Sequence, residues 1–240
     1  MHGQPSWAYL YRKMIPIFVT SGARVIAPDW LGFGRSDKSV EDPVYMFNFH
    51  RNLMLAFLHA LDLRRITLVV QCRGGLLGLT PPLEMSERLE RLLVMNTGLA
   101  VEVLPGPGFE AWKGFNRSQT HLDIPALMSR AGPILTREEC AAYAAPFPDL
   151  TYKSGLRRFQ ELVMVSPDME GVDISKRAAG WWSTEWRGQS YMAIGEADSI
   201  LGVPAMKALR RLIANCPEPM LIREAGRFVQ EWVSRSRRRV

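Results

Sequence analysis

An α/β fold is what this sequence predicts, with a mostly parallel sheet, helices on both faces and one helical insertion. Two observations carry that prediction. Short β-branched apolar runs alternate with amphipathic helical stretches through the first part of the chain and again near its end. Between them, residues 97–189 lose the alternation and carry Pro105, Pro107, Pro125, Pro133, Pro146, Pro148 and Pro167 among helical pieces. With 240 residues, 47% hydrophobic and 22% charged, the chain can bury one full core.

The elements follow in order. Residues 8–21 read as a helix, kinked or divided at Pro16, which cannot donate an internal hydrogen bond. Residues 23–29 (ARVIAPD) and 65–71 (RITLVVQ) are apolar runs closed by polar residues, the pattern of strands buried on both faces. Residues 47–61 and 74–80 have helical periodicity. Residues 89–96, 190–195 and 219–223 are weaker strand patterns, so about five parallel strands are expected. Inside 97–189, residues 137–145 and 152–165 read as helices. Trp181, Trp182 and Trp186 lie at helical spacing and read as core. The chain thus divides into a core of residues 1–96 and 190–240 and a helical lid of residues 97–189 over the C-terminal edge of the sheet.

Composition narrows the function classes. No window approaches ~18 uninterrupted apolar residues, so no membrane span is expected. The first residues, MHGQPSWAYLYRKM, lack the basic start, apolar stretch and cleavage site of a secretory signal. The net charge of +6 falls to +2 without Arg235, Arg237, Arg238 and Arg239. A basic tail without an aromatic platform does not make nucleic acid a predicted partner. Cys72, Cys140 and Cys216 are far apart and form no C-x-x-C pair, which excludes a disulfide framework and a local zinc cluster. A cytoplasmic protein that needs no metal or cofactor and takes a small-molecule substrate or ligand is expected; its oligomeric state is not legible.

Sites in open parallel sheets form where loops leave the C-terminal ends of strands. Four such turns stand out: HGQPSW at 2–7, PDWLGFGRSD at 28–37, VVQCRGG at 69–75 and EADSILG at 196–202. The third runs from an apolar strand through small residues directly into a helix. That pattern makes a sharp turn that thrusts one side chain outward, here Cys72.

These segments, with FHRN, AAYAAPFPD and AGRFVQE, resemble the α/β-hydrolase superfamily and, within it, the haloalkane dehalogenases. The resemblance covers most of the chain. It implies an α/β-hydrolase fold and the hydrolytic cleavage of carbon–halogen bonds in small haloalkanes. In that chemistry a carboxylate nucleophile forms an alkyl ester, a histidine supported by an acid activates water, and two indole N–H groups hold the halide.

Carried over by position, the resemblance puts the nucleophile at Cys72, the acid at Asp198 and the histidine at Arg227. Arg73 replaces the tryptophan beside the nucleophile, and Ala131 stands for the lid tryptophan. The backbone N–H groups of Gln4 and Arg73 form the expected oxyanion hole. A thiolate that displaces halide yields a thioether, which has no carbonyl for water to attack. Arginine cannot act as a general base, because its pKa stays above ~12. His2 belongs to the first turn, His50 and His59 read as core or surface, and His121 lies in the lid. Little or no dehalogenase turnover is expected. Two alternatives remain: a Cys72-dependent hydrolase of small esters, lactones or thioesters, and a non-catalytic scaffold that binds small anions or electrophiles. An Asp198–Arg227 ion pair is expected in either case.

In the family's pattern HG follows the third strand, and here it stands at residues 2 and 3. The first three strands of the usual eight are therefore expected to be missing. The runs at 23–29 and 65–71 must then pair directly, leave backbone groups unpaired, or depend on other residues.

Overall fold

The structure, a computed structural model, describes residues 1–100, 106–119 and 121–233. Pro105 and the four tail arginines lie outside the described residues. After a 3-10 turn at Ala8–Tyr11 come α1 (Ile15–Thr20), α2 (Phe47–Ala60), β1 (Ile66–Cys72), α3 (Arg73–Gly78) and α4 (Pro82–Met85). Then follow β2 (Leu89–Thr97), α5 (Pro107–Ser118), α6 (Ile124–Ala131), α7 (Arg137–Ala144), α8 (Ser154–Arg158) and α9 (Val172–Thr184). The described chain closes with β3 (Gln189–Gly195), α10 (Val203–Arg211), β4 (Met220–Ile222) and a 3-10 turn at Val229–Trp232.

The strands form one parallel sheet in the order β1-β2-β3-β4. Side chains alternate across it with the period of two that a pleated strand imposes. Leu68 and Val70, Leu92 and Val94, and Met192 and Ile194 face one layer with Trp182, Trp186 and Met206. Met95 and Ala193 face the other, with Leu77, Trp30, Phe33 and Phe228. Of the three tryptophans read as core from their spacing, Trp182 and Trp186 are buried and Trp181 packs half-buried against that layer; Trp182 Nε1 donates to Leu79 O at 2.7 Å. The helix that carries Trp182, α9, packs on the sheet although it lies within the stretch expected as lid.

Two local expectations change. Residues 8–21 divide into a 3-10 turn and α1, with Pro16 in the first turn of α1, where its missing N–H costs nothing. Residues 152–165 hold only the short α8 beyond a 3-10 turn at Leu150–Lys153.

The fifth strand does not form. Residues 23–29 pair with no strand among the described residues, and Val25 and Ile26 stay half-buried. The edge of β1 is instead met by the first residues: Gln71 N donates to Met1 O at 3.2 Å, and the Met1 amine donates to Val69 O. A run of β-branched residues becomes a strand only with a ladder partner, and none stands beside this one. Its end is fixed by side chains instead. Asp29 accepts hydrogen bonds from Ala8 N at 2.6 Å and Arg35 N at 2.9 Å.

Helix α2 carries a buried imidazole. His50 sits among Trp30, Tyr45, Phe49 and Phe159, and neither ring nitrogen has a partner among the described residues. Burial lowers its pKa to about 4, and burial does the same for His2. The unfolded chain binds both protons near pH 6.5, whereas the folded chain stays neutral to about 4. Stability is therefore full above pH 6.5 and falls as pH drops through that window. His50→Phe should reduce the slope of stability against pH by up to about 1.4 kcal/mol per pH unit. Denaturant melts at stepped pH values measure it, and an unchanged slope would show that His50 is already charged in the fold.

Candidate functional site

The last residue of β1 makes the turn that builds the site. Cys72 has φ 51° and ψ −127°, a left-handed backbone that side-chain-bearing residues rarely adopt. Close packing on every side holds it there. A Cβ at Gly3 would lie 2.2 Å from Cys72 Cβ, one at Gly74 2.2 Å from Met1 O, and one at Gly75 2.0 Å from Thr97 Oγ1. Only glycine fits at these three points. Helix α3 starts immediately, with Cys72 as its N-cap residue, so the thiol faces the first turn of the helix.

Arg73 is 4% exposed, and its Nη1 lies 3.6 Å from Cys72 Sγ. Its Nε and Nη2 have no hydrogen-bond partner among the described residues. The guanidinium also stands 5.7 Å over the ring of Phe109 on α5. Asp198 and Arg227 form the expected ion pair in a two-pronged geometry, Nε to Oδ2 at 3.1 Å and Nη2 to Oδ1 at 3.2 Å. Arg227 lies close enough to Cys72 for its charge to act on the thiol. Cys72, Arg73, Asp198 and Arg227 are thus brought together from three separate segments.

Asn96 was not singled out from the sequence. It stands one residue before the end of β2 with φ 27°, and its Nδ2 donates to Gly195 O and Leu201 O, both at 3.0 Å, and to Asp198 Oδ2 at 3.3 Å. Its Oδ1 accepts from Gly195 N at 2.8 Å, so Asn96 locks the turn that presents Asp198. An asparagine closing the apolar run LLVMN was the available signal.

The other positions play quieter parts. Gln4 is buried, its carbonyl 3.9 Å from Cys72 Sγ and its side-chain amide donating to Leu156 O. Ala131 ends α6 beside the turn that carries Arg227, since a Cβ at Gly226 would lie 2.7 Å from Ala131 O. His2 Nε2 accepts from Trp30 N at 3.1 Å while Nδ1 bonds Gly3 O at 2.8 Å, which occupies both nitrogens. His59 and His121 are exposed. No group of three or more metal-ligating side chains occurs among the described residues.

The charges decide the state of the thiol. Burial pushes the Cys72 pKa up, but Arg73, Arg227 and hydrogen bonds from the backbone of Gln4 and Arg73 bring it below the ordinary thiol value. Burial also opposes ionisation of Asp198, yet Arg227 and the backbone of Ile200 and Leu201 hold its carboxyl below the usual range. Cys140 and Cys216 move the other way, raised chiefly by burial. Because the thiolate is the nucleophile, its reactive fraction rises through the pKa. Cys72 should therefore alkylate faster than Cys140 or Cys216 at pH 7, and Arg73→Ala should slow it. Competitive labelling with peptide mapping measures this, and equal rates at all three cysteines would remove the case for a stabilised thiolate.

The comparisons with known proteins agree with this architecture. The alpha/beta hydrolase fold family matches residues 1–233. A haloalkane dehalogenase from Psychrobacter cryohalolentis is 39% identical over 203 residues, 83% of this chain and 66% of the relative. Haloalkane dehalogenase 1 of Mycobacterium tuberculosis is 37% identical over 238 residues, 96% of this chain and 77% of the relative. Among solved structures, the tetrameric haloalkane dehalogenase DpaA from Paraglaciecola agarilytica superposes with a TM-score of 0.94 at 46% identity, covering 100% of this chain and 80% of that one. The chain therefore spans about two thirds to three quarters of the length of these curated relatives. It belongs to the haloalkane dehalogenase family of the alpha/beta hydrolase fold.

Proposed function

We propose that this family member captures small alkyl electrophiles on Cys72 and does not turn them over. The observation that carries the reading is the Asp198–Arg227 ion pair, at the positions where the resemblance puts the family's acid and histidine. A guanidinium held by a carboxylate cannot take a proton from water near neutral pH. The thiolate of Cys72 can still attack carbon. A sulfur–carbon bond forms, the carbon–halogen bond breaks, and the halide leaves with the bonding pair. The product is a thioether, which water does not cleave.

The backbone hydrogen bonds at Cys72 support a second reading, a Cys72-dependent hydrolase of small esters, lactones or thioesters. Acyl transfer to the thiol needs those donors. Release of the acyl group needs activated water, which Arg227 at the histidine position cannot supply. The acyl-enzyme would accumulate. Either chemistry requires a reducing setting such as the cytoplasm, consistent with three free cysteines.

Incubation with a bromoalkane, followed by halide determination and intact mass, tests the proposal. No more than one halide per chain should appear, with a matching alkyl mass on Cys72. Halide released in excess of the alkyl groups found on the protein would show turnover and overturn the proposal. Arg227→His, which returns an imidazole beside Asp198, should accelerate breakdown of an acyl adduct and leave an alkyl adduct untouched.

A further inference from the structure

We infer that Arg73, with Arg227 beside it, forms an anion subsite at Cys72 that selects small carboxylate-bearing alkyl electrophiles, of the α-halocarboxylate class. The inference rests on the proposed role of Cys72 as an electrophile trap and names what that trap is shaped to take.

Three observations carry it. Arg73 is buried to 4% exposure, yet Nε and Nη2 have no hydrogen-bond partner among the described residues. A buried guanidinium is strongly favoured to hold acceptors, and this one has only the thiol at 3.6 Å from Nη1. Its position is fixed by Phe109 on one side and the turn into α3 on the other. The second guanidinium is already committed, since Arg227 spends Nε and Nη2 on Asp198.

Counting charge around the thiol sharpens the point. Asp198 balances Arg227, and the Cys72 thiolate balances Arg73. Alkylation by a neutral reagent consumes the thiolate charge and leaves buried Arg73 only Asp198, already paired to Arg227, to offset it, a costly state. Alkylation by an α-halocarboxylate consumes the same charge and delivers another. The sulfur bonds the α-carbon, the halide departs with the carbon–halogen pair, the thiol proton has already gone to solvent, and the carboxylate remains beside Arg73. Before reaction the same carboxylate can be held by the unpartnered Nε and Nη2, which places the α-carbon next to Sγ. A neutral haloalkane gains neither advantage.

Iodoacetate and iodoacetamide differ only in this charge, so labelling of the full chain with each, mapped to Cys72, tests the subsite. Relative to N-acetylcysteine under the same conditions, Cys72 should favour iodoacetate over iodoacetamide by about tenfold or more. Arg73→Met should return the ratio to that of the free thiol. In the unmodified chain, added acetate should slow iodoacetamide at Cys72 while leaving N-acetylcysteine unaffected, a readout that does not depend on the variant folding. A free-thiol ratio without acetate protection, while Cys72 still outpaces Cys140 and Cys216, would overturn the subsite and leave the electrophile trap standing. If Cys72 outpaces neither cysteine with either reagent, the trap itself fails and the subsite with it.

Discussion

The turn at Cys72 is the constraint on which the site depends. A side-chain-bearing residue with φ 51° is strained, and the surrounding chain must over-determine it. Here the determination comes from contact. Gly3, Gly74 and Gly75 let three stretches of chain close on one point, and Thr97 packs from the neighbouring strand. The register of β1 against β2 shifts between Gln71 and Cys72, so that Cys72 stands opposite Thr97 and Asn96 turns aside. That displacement frees Asn96 to hold the Asp198 turn. One strained residue thus fixes the thiol, and its neighbour across the sheet fixes the acid.

Electrostatics then determine what this geometry can do. A thiol buried among apolar groups would stay protonated, but Arg73, Arg227 and hydrogen bonds from the backbone of Gln4 and Arg73 together outweigh burial. The same guanidinium that favours the thiolate closes the route onward, because Arg227 is paired to Asp198 and has no lone pair to offer water. Arg227 joins Arg73 in favouring the thiolate, and a guanidinium is itself no base near neutral pH. Positive charge stands where proton transfer would be needed, and it suits anions better than it suits hydrolysis.

Much of this was legible in the sequence because it rests on local pattern. The strand–turn–helix at Cys72 follows from an apolar run ending in small residues, while the Asp198–Arg227 pair was legible through the resemblance, which puts the two residues at the acid and histidine positions. Residues 23–29 read as a strand by composition, but a strand is defined by its partner, and the position of HG already pointed to a missing neighbour. Asn96 escaped because its role is tertiary: it bonds Gly195, Asp198 and Leu201, about a hundred residues away along the chain. The unpartnered state of Arg73 was equally invisible, since it is a statement about what does not stand nearby. The buried cluster in which Arg12 and Lys13 meet Glu231, with Glu139 and Tyr143 alongside, joins three distant segments and likewise leaves no local trace.

The central claim is that adducts on Cys72 persist: an alkyl adduct because a thioether offers water no carbonyl, and an acyl adduct for want of a base. The most direct measurement is the lifetime of an acyl adduct, followed by intact mass spectrometry after a pulse of an activated ester. The account predicts that the adduct rises to one acyl group per chain on Cys72 and then persists, with no further ester consumed. An adduct that decays while ester consumption continues would contradict it, and would mean that some group in this fold activates water despite Arg227.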